Sequence, residues 1–297
     1  MTVLGPEEAT ARAAAHRQRL LTWVGPHLAR RQRHEAHPVL DFLFTYYSES
    51  PARLLRWHAG VGHSVTGDLA EERLGWPMYA QGPDGSVGLD VEAFRERRGT
   101  SAGWVAGLLQ ATAGRTAQFG CFGLHEWAMV HRATPRHGAV PLRLGPAGTD
   151  AVVESHRLQC THVDAYRFFT PTAAPRNALA PTRDTQAELE QPGCLHAGMD
   201  LYKWAVKLAP AVPGELLADC FELAVDIRVL DMRASPYDLV AHGYAPVPIE
   251  TAAGKAEYAA AQRGFAERGQ ALRARLLAVC DAVLGPAGTP TPDRPTP

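Results

Sequence analysis

The feature that most constrains this chain is the proline and glycine punctuation of long segments with a helical period in its C-terminal third. Pro210 and Pro213-Gly214 divide one such stretch, which predicts two helices, roughly Cys194 to Leu208 and Glu215 to Met232. A further helix is expected over about Thr251 to Leu284, and another over residues 7 to 34, where Gly25-Pro26 predicts a break or kink. Ser50-Pro51 has the chemistry of an N-cap followed by a first turn, and helices are expected at Val91 to Arg97, Ser101 to Ala113 and Phe119 to Arg132.

Strand signals are weaker. A short strand is expected at Trp76 to Tyr79, followed by a turn at Pro83-Asp84-Gly85, and alternation predicts strands at Val140 to Leu144 and Ala151 to Phe169. The implied fold is α+β, mostly helical with a small antiparallel sheet, built on a single core. Residues 1–35 form an N-terminal helical segment packed on that core, 36–284 an α+β catalytic core, and 285–297 a Pro/Thr-rich disordered tail.

Charge and cysteine usage narrow the classes. The formal net charge is -1, which gives no whole-molecule attraction to nucleic acid. A local basic patch remains, carried by Arg12, Arg17, Arg19, Arg30, Arg31 and Arg33, although such a run is more often a solvated helix face. Cys121, Cys160, Cys194, Cys220 and Cys280 contain no Cys-x-x-Cys pair, so neither a disulfide framework nor a thiolate zinc site is indicated, and a reducing cytoplasm fits best. The apolar runs are too short to span a membrane or to act as a secretion signal.

Polar chemistry concentrates between Phe119 and Tyr237. If Glu154 to Arg167 is a regular strand, Glu154, His156, Cys160, His162, Asp164 and Tyr166 share one face, which a solvated edge would also explain. His196, Asp200, Lys203 and Lys207 line one helix face, so His196 and Asp200 could share a metal or a hydrogen bond. Asp219, Glu222 and Asp226 line another; an ion-paired network, with Arg228 and Arg233 as local partners, is their simplest explanation. His125 and Glu126 sit among bulky apolar residues, as a core histidine with its neighbour or as the wall of a site where Phe122 or Trp127 stacks on a ligand.

Several segments resemble a known family. His37-Pro-Val-Leu-Asp-Phe-Leu-Phe-Thr-Tyr-Tyr, Phe119-Gly-Cys-Phe-Gly-Leu-His-Glu-Trp-Ala-Met, His162-Val-Asp-Ala-Tyr-Arg-Phe-Phe-Thr-Pro, Glu190-Gln-Pro-Gly-Cys-Leu-His-Ala-Gly-Met-Asp-Leu-Tyr-Lys-Trp and Asp231-Met-Arg-Ala-Ser-Pro-Tyr-Asp-Leu are similar to an actinobacterial family commonly labelled 3-methyladenine DNA glycosylase. The resemblance implies hydrolysis of the N-glycosidic bond to an alkylated purine in damaged DNA, with no cofactor required. On that basis Asp164, His162, Glu126 and His125 would be the catalytic candidates. Phe122, Trp127, Tyr166 and Phe168 would form the base slot, and Arg157, Arg167 and Arg183 would grip phosphates.

The residues support a rival of another class. An iron- or zinc-dependent oxidoreductase or hydrolase acting on a small molecule would draw its ligands from His162, Asp164, His196, Asp200, Glu222 and Asp226, beside His125 and Glu126. A non-catalytic ligand-binding protein is the third reading. The terminal expectation is the simplest to check: truncation after Gly285 should leave the melting temperature unchanged in a thermal scan, and a drop of several degrees would show that the tail packs.

Overall fold

The computed structural model of the protein describes residues 1–47, 49–135 and 140–285. Its elements are β1 (Thr2–Leu4), α1 (Pro6–Gln32), α2 (Phe42–Thr45), α3 (Pro51–Leu54), β2 (His63–Val65), α4 (Asp68–Leu74), β3 (Tyr79–Gln81) and β4 (Val87–Leu89). There follow α5 (Val91–Ala113), α6 (Leu124–Ala128), α7 (Gly145–Ser155), α8 (Val163–Tyr166), α9 (Gln186–Leu189), α10 (Leu195–Lys207), α11 (Gly214–Arg233) and α12 (Ala252–Leu284). The fold is thus α+β and mostly helical. The tail expected to be disordered lies outside the described residues, apart from Gly285.

The C-terminal helices form where the punctuation predicted them. Helix α11 is the centre of the core, with Leu216, Leu217, Phe221, Leu223, Ala224, Ile227 and Leu230 all buried, as expected of a helix enclosed on most sides. It packs against α10, α12 and the middle of α1, while α5 lies against α12. Helix α10 approaches α11 closely because Gly198 has no side chain: a Cβ there would stand 2.8 Å from Ile227 Cδ1. Each fully buried Leu, Ile or Phe in this layer contributes about 1.5–3 kcal/mol.

The structure corrects several boundaries. Helix α1 runs unbroken through Pro26, because Leu20, Val24 and His27 are buried on one face and hold the helix despite the lost N–H. Helix α5 is likewise continuous from Val91 to Ala113. Phe119 to Arg132 is helical only at Leu124–Ala128, since Phe122 (φ 48) and Gly123 (φ 72) adopt left-handed conformations that force a sharp turn before it.

The strand expected at Ala151 to Phe169 does not exist. Gly145-Pro146 opens α7, with Thr149, Val152 and Val153 buried at helical spacing up to Ser155; beyond it lie irregular chain with a single parallel bridge from Leu158 to Asn177, and then the short α8. Val140 to Leu144 contributes only an isolated antiparallel bridge between Leu142 and Tyr237. The real sheet is N-terminal, in the order β1-β2-β4-β3. It is mixed rather than antiparallel, because β1 pairs parallel with β2 (Thr2 opposite His63) while β2–β4 and β4–β3 are antiparallel. The 1–35 segment therefore contributes a strand as well as a helix. The Pro83-Asp84-Gly85 turn is found, with Gly85 at φ 79 and Asp84 Oδ1 accepting from the Ser86 N–H at 3.1 Å. Among the described residues no helix is long and apolar enough to cross a membrane.

The chain enters α10 through a tight crossing. Gln191 Oε1 accepts from the N–H groups of Gln118 (2.8 Å) and Gly193 (2.7 Å), and a Cβ on Gly193 would stand 2.4 Å from Gln118 O. Backbone cannot yield as a flexible side chain does, so Gly193→Ala should cost about 1–3 kcal/mol in urea unfolding. A variant as stable as wild type would show that this crossing does not position α10.

Candidate active site

Three separated segments meet at the start of α10. The left-handed turn before α6 points His125 and Glu126 into the protein, and both are buried. His162 caps α8: its Nδ1 accepts from the Asp164 N–H at 3.2 Å. His196 lies in the first turn of α10, with its ring 4.5 Å from that of His125 and 5.4 Å from that of His162, centroid to centroid. Around these rings stand two groups of ligand-type side chains, His125 with His196 and Asp231, and His162 with Glu190 and Asp200; within each group one potential ligand atom per residue lies within 4.8 Å of the others.

The groups differ in their hydrogen bonding. His162 Nε2 lies 3.1 Å from Glu190 Oε1 and 3.5 Å from Asp200 Oδ2. Because Nδ1 already accepts a backbone N–H, the ring's proton belongs on Nε2, between the two carboxylates. A metal at Nε2 would require a proton on Nδ1, facing the Asp164 N–H, so this group is better suited to hold a proton than an ion.

In the other group His196 is the open imidazole; His125 is engaged on both sides, by Asp231 at Nε2 and by Cys121 Sγ at Nδ1 (3.7 Å), and would give up a proton on binding an ion. His125 Nε2 and Asp231 Oδ2 are 3.1 Å apart, and Asp231 Oδ1 is buried without a hydrogen-bond partner. Burial opposes charge on both, yet the Asp231 carboxylate holds the His125 imidazole's pKa well above its ordinary value, and Asp231 is lowered in return. His196 makes no side-chain hydrogen bond among the described residues. Burial, reinforced by the neighbouring His125 and His162, pushes its pKa down to about 3, leaving a neutral imidazole with a lone pair available. The nearby Cys160 and Cys194 remain thiols, because burial raises both and pushes Cys194 up to about 12.

His196 separates two cavities. One, of about 20 Å³ and lined by Cys121, Cys160, Cys194 and Tyr258, has room for a single water molecule. The other, of about 210 Å³, is walled by Phe42, Tyr46, Phe168 and Tyr237, with Glu126, Asp164 and Arg228 among its polar groups. Arg228 Nη1 donates to Glu126 Oε1 at 2.9 Å, stands 3.8 Å from Asp231 Oδ2, and lies over the Phe42 ring. Lys203 Nζ joins Asp200 Oδ2 (2.9 Å) to Asp164 Oδ2 (3.2 Å), while Arg183 and Arg167 also contact Asp164.

Glu126, Asp164 and His196 thus line one cavity, with His125, His162 and Asp200 directly behind it. His196 and Asp200, paired by helical spacing, fall into different groups. The polar stripe from Glu154 to Tyr166 is dispersed: Glu154 pairs with Arg132 at the surface (2.5 Å), His156 bonds Val152 O, and Tyr166 packs on Phe169. Of the four stacking candidates only Phe168 reaches the cavity. Trp127 is fully buried with its Nε1 donating to Ala234 O, and Phe122 faces Tyr258. Arg157 is exposed, with no hydrogen bond or ion pair among the described residues. Glu222 and Asp226 lie outside the site in ion pairs, as their repulsion demanded, but with Arg19 (2.5 Å) and Arg268 (2.8 Å) instead of Arg228 and Arg233. Arg19 is thereby a structural partner, not part of a phosphate-binding patch.

Sequence reasoning missed the roles of Glu190, Asp231, Phe42, Tyr46 and Arg228. Asp231 carried one signal, its place three residues after Arg228 on the same helix, the spacing of an intrahelical ion pair.

Lys203 neutralises two carboxylates that are each about 2–3% exposed. Burial alone would raise both, but Lys203 heads the groups that lower them, so their stabilisation is present above the carboxylate range and lost as pH falls through it. Lys203→Met should cost about 3–5 kcal/mol at pH 7. The gap from wild type should narrow by pH 5 as Asp200, left with His162 as its charged partner, takes up a proton. Urea unfolding at the two pH values checks this; a gap that is negligible or independent of pH would show that Lys203 does not compensate these acids.

No protein-family model, no curated protein and no solved structure matches this chain.

Proposed function

We propose that the protein is a metal-dependent enzyme acting on a small molecule, with His125, His196 and Asp231 as the ligands of an iron or zinc ion. The observation that carries this reading is His196: a neutral imidazole, free of side-chain hydrogen bonds among the described residues, beside a buried His–Asp pair and at the wall of a 210 Å³ cavity. Two imidazoles and one carboxylate suit ferrous iron or zinc and leave coordination positions open for substrate or water. Such an ion supplies Lewis-acid polarisation or activation of bound water. The residues around it bind and orient: the rings of Phe42, Tyr46, Phe168 and Tyr237 enclose an apolar or aromatic substrate. Glu126, fixed by Arg228, is positioned to exchange a proton within the cavity.

The glycosylase reading has one supporting observation, a base-sized aromatic cavity bordered by Glu126 and Asp164 with Arg167 and Arg183 at the surface nearby. It is the weaker of the two. Asp164 is already neutralised by Lys203, Arg183 and Arg167, which would blunt its stabilisation of a cationic sugar and oppose a cationic base.

Chelator-stripped protein should gain thermal stability on adding zinc or ferrous iron; a ligand at 100 times its Kd adds about 2.7 kcal/mol. His196→Ala should lower metal affinity by about 100-fold or more while leaving the stripped protein's melting temperature near that of wild type. Absence of stoichiometric binding, or undiminished binding by the variant, would overturn the metal reading. Release of base from methylated duplex DNA in excess chelator, abolished in Asp164→Asn, would install the glycosylase in its place.

A further inference from the structure

A second cavity, of about 490 Å³, lies at the other end of α10. It is lined by Glu49, Arg53, Arg56, His58, Trp76, Tyr79 and Arg98, with Val206, Ala209 and Pro210 following along the chain from the site. His196 and Val206 are ten positions apart, roughly 15 Å along the helix axis, and no residue lines both this cavity and the aromatic one.

Its charges do not balance. Arg53 pairs with Glu49 at 3.2 Å. Arg98 donates only to the Lys207 carbonyl (2.8 Å), and Arg56 makes no ion pair or side-chain hydrogen bond among the described residues. Two guanidinium groups are therefore left without a carboxylate. Burial, and then the proximity of Arg53, disfavour the charge on Arg98 and outweigh the nearby Glu49; an anion would relieve this. Guanidinium forks match carboxylate and phosphate oxygens bidentately.

The rest of the lining includes three aromatic rings. His58 and Tyr79 rings are stacked at 6.1 Å, with His58 Nδ1 and Tyr79 Oη 2.8 Å apart. Burial lowers the His58 pKa to about 3, so it adds no charge at neutral pH. Trp76 lies edge-on to both rings, with Arg56 over one of its faces at 5.2 Å and the buried Arg73 at 4.8 Å. Arg73 donates to Trp57 O and Leu69 O and pairs with Glu72 at 3.5 Å, so its charge is already compensated and the anion falls to Arg56 and Arg98.

We infer that this cavity is a second binding site, for a small planar aromatic ligand carrying a phosphate or carboxylate group. The ring stacks in the His58–Trp76–Tyr79 corner and the anion is held by Arg56 and Arg98. The site shares no lining residue with the aromatic cavity or with the His125–His196–Asp231 group, so it can be tested without the metal.

The test is calorimetric titration of the full chain in excess chelator, so that the metal reading is not involved. The probes are adenosine monophosphate, 4-hydroxybenzoate, adenosine and inorganic phosphate. One or both aromatic anions should bind saturably, each at least tenfold more tightly than adenosine or inorganic phosphate, and which of them binds distinguishes a phosphate from a carboxylate source. Arg56→Gln, at an exposed position, should weaken that binding tenfold or more, and Trp76→Ala should do the same with the melting temperature as a control for folding. The proposal is overturned if no aromatic anion binds, or if Arg56→Gln binds as tightly as wild type.

Discussion

Helix α11 is buried on nearly every side, and the polar architecture of the protein follows from the two charges it carries inward. Arg228 and Asp231 are each no more than 3% exposed, and neither can remain there uncompensated. Asp231 takes His125 and Arg228 takes Glu126, which fixes the turn at Phe122–Gly123 and the short α6 against the centre of the core. The same requirement operates from α10, where Asp200 draws in His162, Lys203 and, through Lys203, Asp164.

Charge compensation on both sides leaves one group uncompensated by design of its position. His125 and His162 each stand beside carboxylates that favour their protonation, whereas His196 stands between the two rings and near neither acid closely enough to offset burial. Three imidazoles in contact therefore have unlike proton affinities, and the neutral one faces the cavity. Pairs of neighbouring groups driven apart in this way mark functional sites more often than structural ones.

Helix α10 links the regions of interest. Its first turn carries His196, its middle carries Asp200 and Lys203, and its end borders the arginine-lined cavity. The close approach at Gly198 lets α10 pack directly on Ile227 of α11.

The long helices were legible because a buried face repeats every three to four residues and because Pro210, Pro213 and Gly214 end and start helices wherever they occur. The residue types of the site were legible too, since His125, Glu126, His162, Asp164 and His196 stand out among apolar neighbours. The sheet was not, because three-residue strands such as Thr2–Leu4 and His63–Val65 are too short to establish a period and are defined only by pairing across some sixty residues. The stripe from Glu154 to Tyr166 misled because it crosses three local structures, the end of α7, an irregular segment over 156–162 and the short α8, which a spacing of two residues does not distinguish from a strand. By itself the sequence determined a mostly helical α+β chain with a concentration of ligand-type side chains. Only the tertiary structure decided that His196 lies within 4.8 Å of Asp231 and His125 instead of grouping with its helical neighbour Asp200, that Trp127 is sealed in the core, and that Glu222 and Asp226 face Arg19 and Arg268 outside. Such partnerships depend on which segments the packed helices bring within a few ångströms, which local spacing does not encode.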